Sequence, residues 1–166
     1  MARAMVRLEE ITCIQAPIER CFDLARSIEV HVLGNVHFGE NALAVGEVSS
    51  GLIDMDQTVV WRAKHFWVWQ TLTSKMTAFD RPVFFEDTML RGAFKSMRHE
   101  HVFRTLPGRG TEMKDVLYFS APLPVLGRIA EAFVLRRYMR NLLHERNVVL
   151  KQVAESNEWR KYLPSS

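Results

Sequence analysis

Cysteine is nearly absent from this chain. Only Cys13 and Cys21 occur among its 166 residues, separated by Pro17 and by a change from strand-like to helix-like pattern, so no CxxC metal or redox motif exists. Such sparse thiol usage implies a reduced, cytoplasmic setting. Long apolar runs are missing too. No segment approaches the ~18 apolar residues of a membrane span, and Met1 to Leu8 carries two arginines without a continuous apolar stretch, so neither a transmembrane segment nor a signal peptide is expected. Low-complexity tracts are absent and the charged fraction of 25% is ordinary, which leaves disorder to the ends, Met1 to Ala4 and Pro164 to Ser166. Nor is there a basic stripe interleaved with aromatics. The net charge is only +3, and Arg128, Arg136, Arg137, Arg140 and Arg146 all fall in one predicted helix. That pattern describes a solvated helix face, and no nucleic-acid partner is expected.

What is present is core-forming material. With 48% of residues hydrophobic, the chain can bury a real core, and residues 1–166 read as a single domain. Met5 to Ile14 is rich in Val, Leu, Ile and Thr and stops at Ala16-Pro17, as a strand running into a helix does. Its alternation is mixed and does not fix which face looks inward. Ile18, Cys21, Phe22 and Ala25 then share one face of a short helix, and a second short helix is predicted over Ile28 to Leu33. Gly34, Gly39, Gly46 and Gly51 punctuate a stretch of weak pattern.

The centre holds five β segments: Gln57 to His65, Trp67 to Phe79, Pro82 to Arg91, Met97 to Leu106 and Thr111 to Ala121. Short links such as Asp80-Arg81-Pro82 and Pro107-Gly108-Arg109-Gly110 join antiparallel neighbours, so a meander is predicted. Val125 to Glu155 has no proline and no glycine after Gly127, and reads as one long helix with Leu126, Ile129, Phe133, Met139, Leu143 and Leu150 along an apolar stripe. Arg128, Glu131, Glu145 and Lys151 are then left to solvent. Strand, two short helices, meander and long helix make an α+β, helix-on-sheet architecture.

At this level the chain resembles the SRPBCC, or START-like, superfamily, particularly its polyketide cyclase/dehydrase and lipid-transport branch. The resemblance spans nearly the whole sequence. It rests on Ile14-Gln15-Ala16-Pro17-Ile18-Glu19 followed by Cys21-Phe22-Asp23, on Phe79-Asp80-Arg81-Pro82, on Arg98-His99-Glu100-His101-Val102-Phe103, and on Arg136-Arg137-Tyr138-Met139 with Leu142-Leu143. It implies a helix-grip fold: a curved antiparallel sheet around a long C-terminal helix, with two short helices after the first strand. Between sheet and helix it implies a cavity for lipids, polyketides or hormones. These motifs are signatures of shape and transfer no catalytic role.

Strand alternation sorts the central residues into faces. Asp87, Met89, Met97, His99, His101, Phe103, Met113, Asp115, Leu117 and Phe119 form the inward set. Glu86, Thr88, Arg98, Glu100, Arg104, Glu112 and Lys114 form the outward one. In a meander the strands bearing Asp87, His99 with His101, and Asp115 are neighbours, so Asp and His come within reach of each other.

Three readings of that cluster stay open. Its members satisfy one another inside a core; or they orient the polar end of an apolar ligand; or His99 or His101 acts as general base, with Asp87 or Asp115 tuning it, in a cyclisation or dehydration. The ligand-lining set extends to Trp61, Gln70, Phe133, Arg136 and Arg140, the two arginines at a cavity mouth, and to methionines that adapt to varied ligands. His99-x-His101 also has the form of a metal-ligand pair, but spacing fixes no third ligand, so neither a metal nor a cofactor is expected. Trp67 and Trp69 in the hairpin suit a protein contact or a membrane surface. The expected partners are a hydrophobic small molecule and, at most, a second copy of the chain.

Overall fold

Inward apolar residues on every second strand position give this sequence a sheet with one wet and one dry face. The computed structural model describes residues 5–37, 42–46, 48–65, 68–120 and 128–164. Strand β1 (Val6–Ile14) is followed by helices α1 (Ile18–Ala25) and α2 (Ile28–His37), then by β2 (Ala42–Val45), β3 (Thr58–His65), β4 (Val68–Asp80), β5 (Phe84–Arg91), β6 (Ser96–Thr105) and β7 (Thr111–Ser120). Helix α3 (Arg128–Glu155) and a short 3-10 turn (Asn157–Lys161) complete the described elements. The strands form one antiparallel sheet of seven in the order β1-β7-β6-β5-β4-β3-β2. The meander is as expected, with β1 returning to close against β7.

Three differences from the sequence reading are local. Helix α2 runs on to His37, beyond Leu33, because Gly34 lies packed beneath Arg146 of α3 and does not end the helix. Strand β2 lies in the weakly patterned stretch, where pairing with β3 overrides the poor local signal. Strand β5 begins at Phe84 because Arg81 to Val83 form a turn.

The mixed alternation of β1 also resolves. Leu8, Glu10, Thr12 and Ile14 form the inner row, since Glu9, Ile11 and Cys13 are exposed. The two polar members of that row meet α3: Glu10 pairs with His144 at 2.7 Å, and Thr12 accepts from Asn147 at 3.3 Å. Register shifts in β4 at Thr73/Ser74 and Met76/Ala78 are the irregularities that bend so long a strand around the core.

One end of the space between sheet and helix is plugged. Phe22 of α1 meets Phe79, Phe85 and Phe103 edge-on, with ring centroids 5.3–5.4 Å apart, above Val149, Leu150, Val153 and Ala154 of α3. A salt-bridge network pins α1 over that plug: Arg26 contacts Asp23 and Asp54, and Arg81 meets Asp23 at 2.7 Å. A second cluster, Leu8, Met97, Leu117, Phe119, Met139 and Leu142, packs toward the other end. Open space remains between them. No described helix is long and apolar enough to cross a membrane.

Candidate functional site

A cavity of about 500 Å³ occupies that space, walled by α2, the inner faces of β3 to β7, and α3. Its size suits a small organic ligand. Most of the wall is apolar, built by Leu72, Phe94, Met97, Leu117, Leu135, Met139, Leu142 and Leu143. Charged groups and imidazoles gather toward the plugged end, with His31 and Asn35 from α2, Asp87 from β5, His99 from β6 and Arg146 from α3, while Gln70 and Thr71 from β4 line the wall away from it.

Sheet register brings the Asp and His residues together. Asp87 stands directly opposite His99, and His101 directly opposite Asp115. Asp115 is sealed, at 1% exposure, and His99 and His101 are both 5% exposed. His101 Nδ1 approaches Asp115 Oδ1 to 2.6 Å, His99 Nε2 reaches the same oxygen at 3.1 Å, and Asn147 donates to Oδ2 at 2.7 Å. The two imidazole approaches are close but bent, so neither nitrogen makes a straight hydrogen bond. On the other side, Asp87 Oδ2 lies 3.6 Å from His101 Nε2 and 4.0 Å from His99 Nδ1, beyond hydrogen-bond reach.

Burial and neighbours divide the charges. Burial alone would raise the Asp115 carboxyl, yet His101 and His99 outweigh it and hold the group well below the usual carboxylate range. Asp87 is shifted the same way, its burial outweighed by His101 and His99. Burial disfavours the charged form of His101, but Asp115 and Asp87 overcome it and lift its pKa above the ordinary value. Burial and the charge of His101 push His99 down. His31 falls further, through burial and then Arg146. Burial also lowers Arg146, against the pull of Asp115 and Asp87. A guanidinium only donates, so its 2.7 Å contact to His31 Nδ1 fixes the neutral tautomer of His31 with the proton on Nε2. That ring stacks on Trp61 at 3.9 Å, and Trp61 Nε1 donates to Ser74 Oγ at 3.0 Å.

Of the residues expected at a ligand, Trp61, Gln70, Asp87, Met97 and His99 line the cavity. His101 and Asp115 lie behind it with Met113, and Phe103 belongs to the aromatic plug. Met89 packs against the second cluster. Of the two imidazoles offered as a base, only His99 reaches the cavity wall. Phe133, Arg136 and Arg140 require correction: all are exposed, Phe133 to 66%. The reason is helical phase. Leu135, Met139, Leu142, Arg146, Val149 and Val153 recur every three or four residues along the inward stripe. Phe133 lies two residues before that stripe begins, on the opposite side, while Arg136 and Arg140 share the faces of Leu143 and Asn147 but stand nearer the start of α3, where those faces are exposed. The same phase overturns the reading of Arg146 as part of a solvated face. Leu126, Ile129 and Trp67 lie outside the residues whose side chains are described, as do Arg128 and Glu131. Trp69 is 45% exposed, with Arg62 5.4 Å over its ring.

His31, Asn35, Arg146 and Asn147 escaped the sequence reading. The i, i+4 spacing of His31 and Asn35, set among Val30, Val32, Leu33 and Val36, was the available signal for the first pair.

A sheet closed around a long C-terminal helix, with a chamber between them, defines the helix-grip class of α+β folds. Within that class the chain has the START-like fold, as solved structures demonstrate. TTHA0849 from Thermus thermophilus superposes with a TM-score of 0.67 at 19% identity, over 92% of this chain and 100% of that one. A START superfamily protein from Mycobacterium smegmatis gives 0.65 at 11% identity, over 90% and 97%. Ara h 8.0201 gives 0.58 at 12% identity, over 89% and 98%. No protein-family model and no curated relative matches the sequence.

Proposed function

We propose that this chain binds a hydrophobic or amphipathic small molecule in the chamber between sheet and α3, with the polar end of that molecule directed at Arg146, His31 and Asn35. The observation that carries this reading is the division of the wall: apolar over most of its area, with its charged groups and imidazoles gathered at one buried end. Asn35 supports it independently. The residue is 6% exposed, and its side-chain oxygen is buried with no hydrogen-bond partner. Leaving such an atom unsatisfied costs about 1–3 kcal/mol, which a donor on a ligand would recover. Arg146 favours an acceptor beside that donor, so a hydroxy-acid head on an apolar body fits best.

Displacement of a fluorescent apolar probe tests the proposal. A long-chain carboxylate should compete more strongly than the matched alcohol. Arg146→Gln should reduce the carboxylate's affinity roughly 10- to 100-fold, the scale of a lost charge-assisted hydrogen bond, while leaving the alcohol nearly unchanged. Absence of probe binding, or equal competition by both compounds in the wild type, would contradict it.

A further inference from the structure

The geometry points to a divalent transition-metal site formed by Asp87 Oδ2, His99 Nδ1 and His101 Nε2, opening toward the cavity from its inner end. One potential ligand atom from each of these three residues lies within 4.8 Å of the others. The separations from Asp87 Oδ2, 3.6 and 4.0 Å, are too long for hydrogen bonds but near the spacing of donors around one ion. Ligands 2.0–2.1 Å from a tetrahedral centre stand about 3.3 Å apart, so rotamer shifts on the order of 1 Å would close the set.

The outer face of the cluster places a carboxylate where metal-binding histidines need one, with each ring nitrogen approaching it at a bent angle. Such a histidine almost always gives its second ring N–H to a carboxylate or carbonyl, which fixes the tautomer and aims the free lone pair at the metal. Asp115 Oδ1 stands 2.6 Å from His101 Nδ1 and 3.1 Å from His99 Nε2, and Asn147 holds the other carboxylate oxygen. One buried acid therefore faces the outer nitrogen of both rings, leaving both inner nitrogens turned toward Asp87. Register enforces this, because Asp87 and Asp115 stand on the strands either side of β6. A core salt bridge would need one such acid; here two flank the imidazole pair.

Two imidazoles and a carboxylate select an ion of the zinc or ferrous class over magnesium or calcium, which prefer all-oxygen sets. Three protein ligands leave a coordination position open. Asp87 and His99 both line the chamber, so that position faces any bound molecule. With a divalent ion and Arg146 against Asp87 and Asp115, the cluster carries one uncompensated positive charge, which an anionic ligand head would neutralise. The metal site is independent of the apolar-ligand reading: probe displacement can fail while metal uptake succeeds, and the reverse.

The test uses untagged full-length protein, stripped with chelator and titrated with Zn²⁺ by calorimetry and with Co²⁺ by visible absorption. One equivalent of each should bind, with ligand-field bands for Co²⁺. Asp87→Ala and His99→Gln should abolish both signals. Asp115→Asn should weaken binding roughly 10- to 100-fold, as loss of an orienting partner does. His144→Gln, a substitution of an exposed histidine on α3, should change nothing. Should His99→Gln fail to fold by circular dichroism, Asp87→Ala decides alone, since Asp87 is a quarter exposed. No stoichiometric uptake by the wild type, or uptake that survives Asp87→Ala, overturns the site.

Discussion

Single residues in this molecule act through the company that burial forces on them. Asp23 is an example away from the cavity: its side chain is 14% exposed and receives bonds from both Arg26 and Arg81. Burial opposes its charge, but the two guanidinium groups outweigh that effect and lower its pKa. A carboxyl whose folded pKa lies below its unfolded value contributes stability above the unfolded pKa, near 3.9, and loses it as pH falls through the folded one. Asp23→Asn should therefore cost about 2 kcal/mol at neutral pH, with the gap to wild type closing below about pH 4. Denaturant unfolding of both proteins across that range measures it; a gap independent of pH would show that the ion pairs are not its source. The same logic governs Asp115, which was legible from strand alternation alone because its neighbours Met113 and Leu117 are apolar. Arg146 was not legible, since an arginine on a helix rich in exposed arginines carries no mark of its own direction.

At the scale of elements, the contact between α2 and α3 sets the position of the polar end of the cavity. Gly34 is the residue that permits it. A Cβ there would lie 2.9 Å from Arg146 Cγ and 3.2 Å from its Cα, too close to both side chain and backbone. Alanine gains roughly 1 kcal/mol in helix propensity, but the overpacking cost of about 1–3 kcal/mol outweighs it. Gly34→Ala should lower the melting temperature by several degrees and weaken probe binding, because α3 must shift with Arg146 on it. An unchanged melting temperature would refute this account of the helix contact. The strands of the meander could be read from sequence because short turn-rich links leave few alternatives. Strand β2 could not, since Ala42–Val45 is too short to show alternation and owes its state to β3. The stripe of α3 is legible in its middle, at Met139, Leu143 and Leu150, but not at Phe133, whose hydrophobicity points inward while its helical phase points outward.

At the scale of the whole molecule, the aromatic plug and the second apolar cluster leave a chamber that none of the described side chains fills. A fold optimised only for stability would close it, since cavities are destabilising. Strand periodicity assigned faces but could not reveal this void, because core and cavity residues share one pattern. The direct measurement is native mass spectrometry of wild type and of Ala63→Trp, a small residue on the chamber wall, after incubation with a panel of long-chain acids. The account predicts a one-to-one adduct on the wild type that is lost from a folded Ala63→Trp protein. No adduct on the wild type, or one retained undiminished by the variant, would contradict it.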